Sequence, residues 1–381
     1  MIYFNNGASS FPKPEIVANS VLSSLSEPAI YNPNSGNERD LKDVFYSCRS
    51  RLAELFKAPE PNRIFFSSGS TESLNLALRG LDFRNSHIVS TKTEHNSVIR
   101  PLMRLKEESN TDFSFVDCDY RGYVDPDIIK NTIKSTTKAI VINHCSNVNG
   151  TVQDIKEICK IAHDHGTIVI VDASQSAGAV PIDISDWDID IMAFTGHKSL
   201  FGLSGTGGIY IKEGLDVKPL KVGGTGILSD LLTHPSEIPQ LYEAGTQNYT
   251  GIVALNAGLG FILETGLDKI IEKKKNHILK IMQSAEQMPE ITSYHHPKMN
   301  SFTNFCFNIT NIVPNEVTYL LESSFGFKLR AGLHCASLMR EPLGVMPWGT
   351  VRASPGYFTK DEEIDLFIEA LKAAVSFFKE V

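Results

Sequence analysis

Between residues 63 and 212 the chain alternates short β-branched apolar runs with longer stretches of helical pattern. No other feature narrows its possible folds as much. The runs at 63–67, 87–91, 113–117, 138–144, 167–172, 189–194 and 207–212 read as strands. Residues 71–81, 97–108 and 154–165 between them carry helical spacing. Alternation over this length predicts an α/β fold, a mainly parallel sheet with helices on both faces. The strands are almost continuously apolar, as expected where neither face meets solvent.

Beyond about residue 255 the texture changes. One helical stretch is expected over 252–280, short strands at 301–309 and 328–330, and a helix over 315–323 with Asn315 as its N-cap. A last helix is expected over 360–378. We therefore expect three parts: an N-terminal arm (1–15) that joins a smaller domain, a large domain (16–255), and a small α+β domain (256–381). The segment 12–14, with its two prolines, reads as extended.

Composition excludes some functions. The 381 residues carry a net charge of −8. That balance, with no stripe of Lys and Arg, argues against a nucleic-acid or anionic-membrane surface. No apolar run approaches the roughly 18 residues of a membrane helix, and no signal-peptide pattern is visible. Six cysteines with no C-x-x-C pair are too sparse for a disulfide framework. A reducing compartment, the cytoplasm, is expected.

In open α/β sheets ligands bind beyond the C-terminal strand ends, so the polar residues there are the candidates. Ser67-Ser68-Gly69-Ser70-Thr71-Glu72 opens a helix and suits a phosphate, or is a plain N-cap. His95, in Thr93-Glu94-His95-Asn96-Ser97, suits stacking or proton transfer, or is a structural loop histidine. Ser146-Asn147-Val148-Asn149-Gly150 reads equally as a turn. Asp172, in Asp172-Ala173-Ser174-Gln175, ends an apolar run and needs a partner, for which a pyridinium N–H would serve. Lys198, in Thr195-Gly196-His197-Lys198, suits a Schiff-base lysine or a helix-capping one. The ordered set matches what pyridoxal phosphate requires: a phosphate clamp, an acid for the ring nitrogen and a lysine.

At these residues the chain resembles the class V aminotransferase family of fold-type I pyridoxal phosphate enzymes, and within it the cysteine desulfurase and selenocysteine lyase group. Further matching segments are Tyr3-Phe4-Asn5-Asn6, Glu243-Ala244-Gly245-Thr246, Arg330-Ala331-Gly332-Leu333-His334-Cys335-Ala336 and Val351-Arg352-Ala353-Ser354. The resemblance implies a large domain with a mainly parallel sheet and a smaller α+β domain. It implies Lys198 as the lysine that carries the cofactor, Asp172 on the ring nitrogen, and His95 stacked on the ring as a proton shuttle. Gln175 and Asn147 are implied on the ring's phenolic oxygen. Ser70, Thr71, Thr195 and His197 are implied on the phosphate, with Thr246 supplied by the neighbouring subunit of a homodimer. Arg352 would hold the substrate carboxylate through its planar fork, with Asn147 alongside.

Cys335 is the implied nucleophile, in a loop where Arg330 and His334 are expected to favour its thiolate. The other five cysteines read as packing residues. The implied reaction converts L-cysteine to L-alanine, with a persulfide on Cys335 passed to an acceptor thiol. The nearest alternative is release of selenium from L-selenocysteine. An aminotransferase or epimerase would not need the thiol, and a non-catalytic cofactor-binding scaffold would have no need of Lys198, Asp172, His95 and Cys335 all together. One departure from the family pattern is Asn37, where many relatives carry histidine. The role of Trp348, between Cys335 and Arg352, is not legible from sequence.

Overall fold

The computed structural model describes residues 1–26, 38–295 and 303–380. Asn37 and the first two residues of the strand expected at 301–309 lie outside them. The central sheet has seven strands: β2 (Ile64–Ser67), β3 (His87–Thr91), β4 (Asp112–Val116), β5 (Thr137–Asn143), β6 (Ile168–Asp172), β7 (Ile191–Thr195) and β8 (Gly207–Ile211). Their order is β2-β8-β7-β6-β5-β3-β4. Pairing from β7 through β4 is parallel, and β8 runs antiparallel to both neighbours. The fold is mixed α/β with a mostly parallel sheet, as the alternation predicts. The C-terminal ends of β2, β3, β5, β6 and β7 therefore share one edge, because these strands run in the same direction.

A core runs along each face of this sheet. Ile140, Ile142, Val169 and Val171 bury one side, and Ala139, Val141 and Ile170 the other. This is the period-2 alternation of strands covered twice. A third core unites β10 (Phe305–Ile309) with the helices Leu267–Ala285, Pro314–Phe325 and Asp361–Glu380. Its antiparallel sheet has the order β12-β13-β10-β9, with β9 Ile291–Ser293, β12 Arg330–Gly332 and β13 Thr350–Ala353. The N-terminal β1 (Ile2–Tyr3) pairs in parallel with β11 (Phe327–Lys328), and Phe4 is buried among the residues of this third core.

Two expectations change. The helix expected over 252–280 is two helices, Tyr249–Thr265 and Leu267–Ala285, broken at Gly266. Gly266 sits at φ +87°, which a residue with Cβ adopts only under strain. Residue 255 falls inside the first of these helices. The passage from one core to the other comes later, between Ile270 and Ile278. Asn315 is not the N-cap of its helix: Val313 occupies that position and Pro314 opens the first turn, where a missing N–H costs nothing. The helices Glu15–Ser26 and Glu38–Phe56 had no counterpart in the sequence reading.

Candidate active site

A cavity of about 350 Å³ lies beyond the shared strand edge. After β2 the chain turns through Gly69 into the helix Ser70–Gly80, placing Ser70 and Thr71 in its first turn against the cavity. A Cβ on Gly207 of β8 would stand 2.6 Å from the Gly69 Cα, so the turn lies directly on the sheet. Glu72 closes it by accepting from the Ser68 N–H at 2.8 Å, and pairs with Lys221 at 2.7 Å.

Asp172 ends β6 and is buried. One carboxylate oxygen accepts from the Ser174 N–H at 2.9 Å and from the Ser174 hydroxyl. Lys198 follows β7 and lines the same cavity. Enclosure by the protein pushes its amine down to about 8, Asp172 opposing that shift and Arg352 and Arg330 adding to it. The His197 carbonyl accepts from the Ser10 N–H at 3.2 Å and from Lys13 Nζ at 2.8 Å, which pins the N-terminal arm beside Lys198. The His197 ring leaves Nδ1 buried without a partner among the described residues, and burial pushes that ring down to about 4.

His95 precedes the helix Asn96–Ser109 and caps it through Nδ1. Burial lowers its pKa, with Asp172 opposing and the cations Lys198, Arg330 and Arg100 adding to the shift. Arg352, on β13, is almost wholly buried. Its Nη1 donates to the Asn147 carbonyl at 2.6 Å and its Nη2 to Asn5 Oδ1 at 3.2 Å, while Nε has no partner among the described residues. Burial and the neighbouring Arg330 bring it down to about 10.

Of the residues expected at the site, Ser70, Thr71, His95, Asn147, Asp172, Gln175, Thr195, His197, Lys198 and Arg352 all line this one cavity. Thr246 and Cys335 do not. Thr246 is exposed, beyond Glu243, whose carboxylate is clamped by Arg49 Nη2 and by the Phe66 N–H. The amides of two expected ring contacts are already engaged: Asn147 Nδ2 donates to the His334 carbonyl at 2.5 Å, and Gln175 Nε2 to the Gly7 carbonyl at 2.9 Å. Each nitrogen keeps a second hydrogen for the cavity. Sequence reasoning missed the arm residues Gly7 and Ala8, Asn143 at the end of β5, and Ser97. Ser97 stood inside a quoted motif, so the signal was present but unassigned.

Cys335 is the one exposed cysteine of the six. His334 and Cys335 both take the left-handed conformation, at φ 51° and 61°. The loop is tied down from both sides, by Asn147 at the His334 carbonyl and by the Asn96 N–H at the Cys335 carbonyl, 2.8 Å away. Arg330 Nη2 reaches the thiol sulfur at 3.4 Å. Burial pushes the Cys118 and Cys306 thiols up to about 12, and Cys48 and Cys159 higher still. The expected help from His334 is not available. Burial, with Arg352 and Arg330 beside it, holds that ring neutral, and its Nε2 is bonded to Thr350.

With this geometry in view, the family match carries weight: a sequence model for aminotransferase class V fits residues 2–367. The chain belongs to the class V aminotransferase family. Among family members, a probable cysteine desulfurase of Methanothermobacter thermautotrophicus is 32% identical, over 96% of this chain and 93% of its own. One of Pyrococcus abyssi is 30% identical, over 98% and 94%. The solved cysteine desulfurase of Thermococcus onnurineus NA1 superposes with a TM-score of 0.89 at 29% identity, covering 98% of this chain and 94% of its own.

Proposed function

We propose that this chain is a pyridoxal phosphate-dependent cysteine desulfurase, which converts L-cysteine to L-alanine and passes the sulfur through Cys335 to an acceptor thiol. One observation carries this reading. The only exposed cysteine stands beside Arg330, in a loop anchored to the cavity that holds Lys198 and Asp172. An aminotransferase site has no use for such a thiol.

The residues fit the cofactor. Ser70 and Thr71 at a helix N-terminus suit its phosphate. The second Asp172 oxygen, unbonded among the described residues, suits a ring N–H. The unpartnered Nδ1 of His197 is a polar atom awaiting a ligand group. When bound, the cofactor supplies an electron sink for the substrate carbon.

The protein's own groups do the rest. Arg352 is desolvated and fixed by Asn5 and Asn147, so it can take the substrate carboxylate without reorganising. Lys198, with its amine near 8, is available as a neutral base for the α-proton at mildly alkaline pH. The Cys335 thiolate attacks the substrate sulfur. An Sγ–S bond forms as the Cβ–S bond breaks, the electron pair goes to carbon, and a proton completes the methyl group of alanine. The acceptor thiol then takes the terminal sulfur and returns Cys335 to its starting form. Thr246, exposed and outside its own chain's cavity, fits a role in the site of a second copy.

Purified protein incubated with cysteine and with selenocysteine tests the reading. Alanine should form from cysteine, and Cys335→Ala should keep the cofactor but release no sulfide. Alanine from selenocysteine alone would favour the lyase.

A further inference from the structure

His95 is open to two protonation patterns, and the structure distinguishes them. Its Nδ1 lies 3.0 Å from the backbone N–H of Ser97. A backbone N–H only donates, so Nδ1 must be the bare nitrogen, and the proton of the neutral ring sits on Nε2. The directions of the next two bonds follow. The Ser97 hydroxyl, 2.7 Å from Nδ1, donates to it. Its oxygen is then free to accept from the Thr71 hydroxyl at 3.0 Å. Ser97 is buried, Thr71 is exposed, and both line the cavity with His95. Nε2 has no partner among the described residues and is the ring atom left for the cavity.

We propose that Ser97 is a positioning residue that fixes His95 as the Nε2–H tautomer, so that this histidine presents a hydrogen-bond donor, not a base, to the substrate. Two donors converge on one ring nitrogen, and protonating Nδ1 would break the helix cap and turn the hydroxyl chain round. Thr71 ties the same chain to the first turn of the helix Ser70–Gly80, so filling the phosphate cradle and orienting His95 are linked. Proton removal then falls to Lys198, and His95 holds a fixed hydrogen bond. The catalytic half of the proposal rests on the desulfurase reading; the tautomer does not.

The test has two arms. In the full-length, cofactor-free protein labelled with 15N-histidine, the His95 ring is assigned by its loss in His95→Gln. Its nitrogen shifts should show a protonated Nε2 and a bare Nδ1. In the holoenzyme, Ser97→Ala should lower kcat about tenfold with KM little changed, the equivalent of one lost hydrogen bond that acts on turnover. Ser97→Thr, which keeps both donors, should restore most of it. A protonated Nδ1 in the wild type overturns the proposal, as does an unchanged kcat in Ser97→Ala or a Ser97→Thr variant as slow as the alanine one. If the wild type forms no alanine, the desulfurase reading fails, and the nitrogen shifts alone then decide the role of Ser97.

Discussion

Replacing Cys335 by glycine should remove the chemistry and stabilise the fold relative to alanine at the same position. The reason lies in the backbone. Cys335 sits at φ 61°, directly after His334 at 51°. A residue with Cβ in this region costs about 1–2 kcal/mol, and glycine is free of that cost. Glycine loosens the unfolded chain by about 0.4–1 kcal/mol in return. The side chain itself contributes little, because it is exposed and its described contact is the 3.4 Å approach of Arg330. Cys335→Gly should therefore be about 0.5–1 kcal/mol more stable than Cys335→Ala, an upward melting shift of about 1 °C for a chain of this length. Thermal unfolding of the two holoenzymes measures the difference, and sulfide release from cysteine should be absent in both. An alanine variant as stable as the glycine one would refute the strain. Sulfide release by either would refute the assignment of the thiol.

Further outcomes follow from other buried groups. Arg49 and Glu243 are each 7% exposed and bonded to one another, so Glu243→Ala should cost about 3–5 kcal/mol in denaturant unfolding, while Arg49→Met with Glu243→Leu should recover only part of that, because the Phe66 N–H then loses its acceptor at a cost of about 1–3 kcal/mol. Lys274 is buried and lowered to about 8. The unfolded chain therefore binds more protons between about pH 8 and 10.5, and stability rises with pH across that window. Lys274→Met should stabilise by about 3 kcal/mol at pH 7, an increment that fades between about pH 8 and 10.5. The rate of α-proton removal, read by loss of substrate deuterium in single turnovers, should fall as pH drops through about 8, where Lys198 takes up a proton. Lys198→Ala should abolish turnover and the absorbance band of the bound cofactor.

Much of this was legible in the sequence. Strands such as 87–91 fall where the β-branched runs place them, because burial on both faces leaves few other sequences possible. Ser70, Thr71, His95, Asn147, Asp172, Gln175 and Lys198 were legible because each follows a strand, and a parallel sheet brings strand ends together; Arg352, Thr246 and Cys335 were legible only through the family resemblance. What the sequence did not reveal depends on contacts across the chain. Gly7 reaches the cavity because Ser10 and Lys13 bind the His197 carbonyl, some 185 residues away. The neutral state of His334 comes from burial against β13. Asn147 and Gln175 turn toward backbone carbonyls that no spacing could reveal. The break at Gly266 was readable in principle, but the apolar pattern runs through it on both sides.

The central claim is that sulfur leaves cysteine by way of Cys335. The most direct measurement is peptide mass spectrometry of the holoenzyme after a brief incubation with L-cysteine and no added acceptor thiol, with alanine quantified in the same sample. The account predicts one added sulfur atom on the peptide bearing Cys335, none on the other five cysteines, and one alanine per modified site. Alanine formed while Cys335 stays unmodified, or sulfur found on another cysteine, would contradict it.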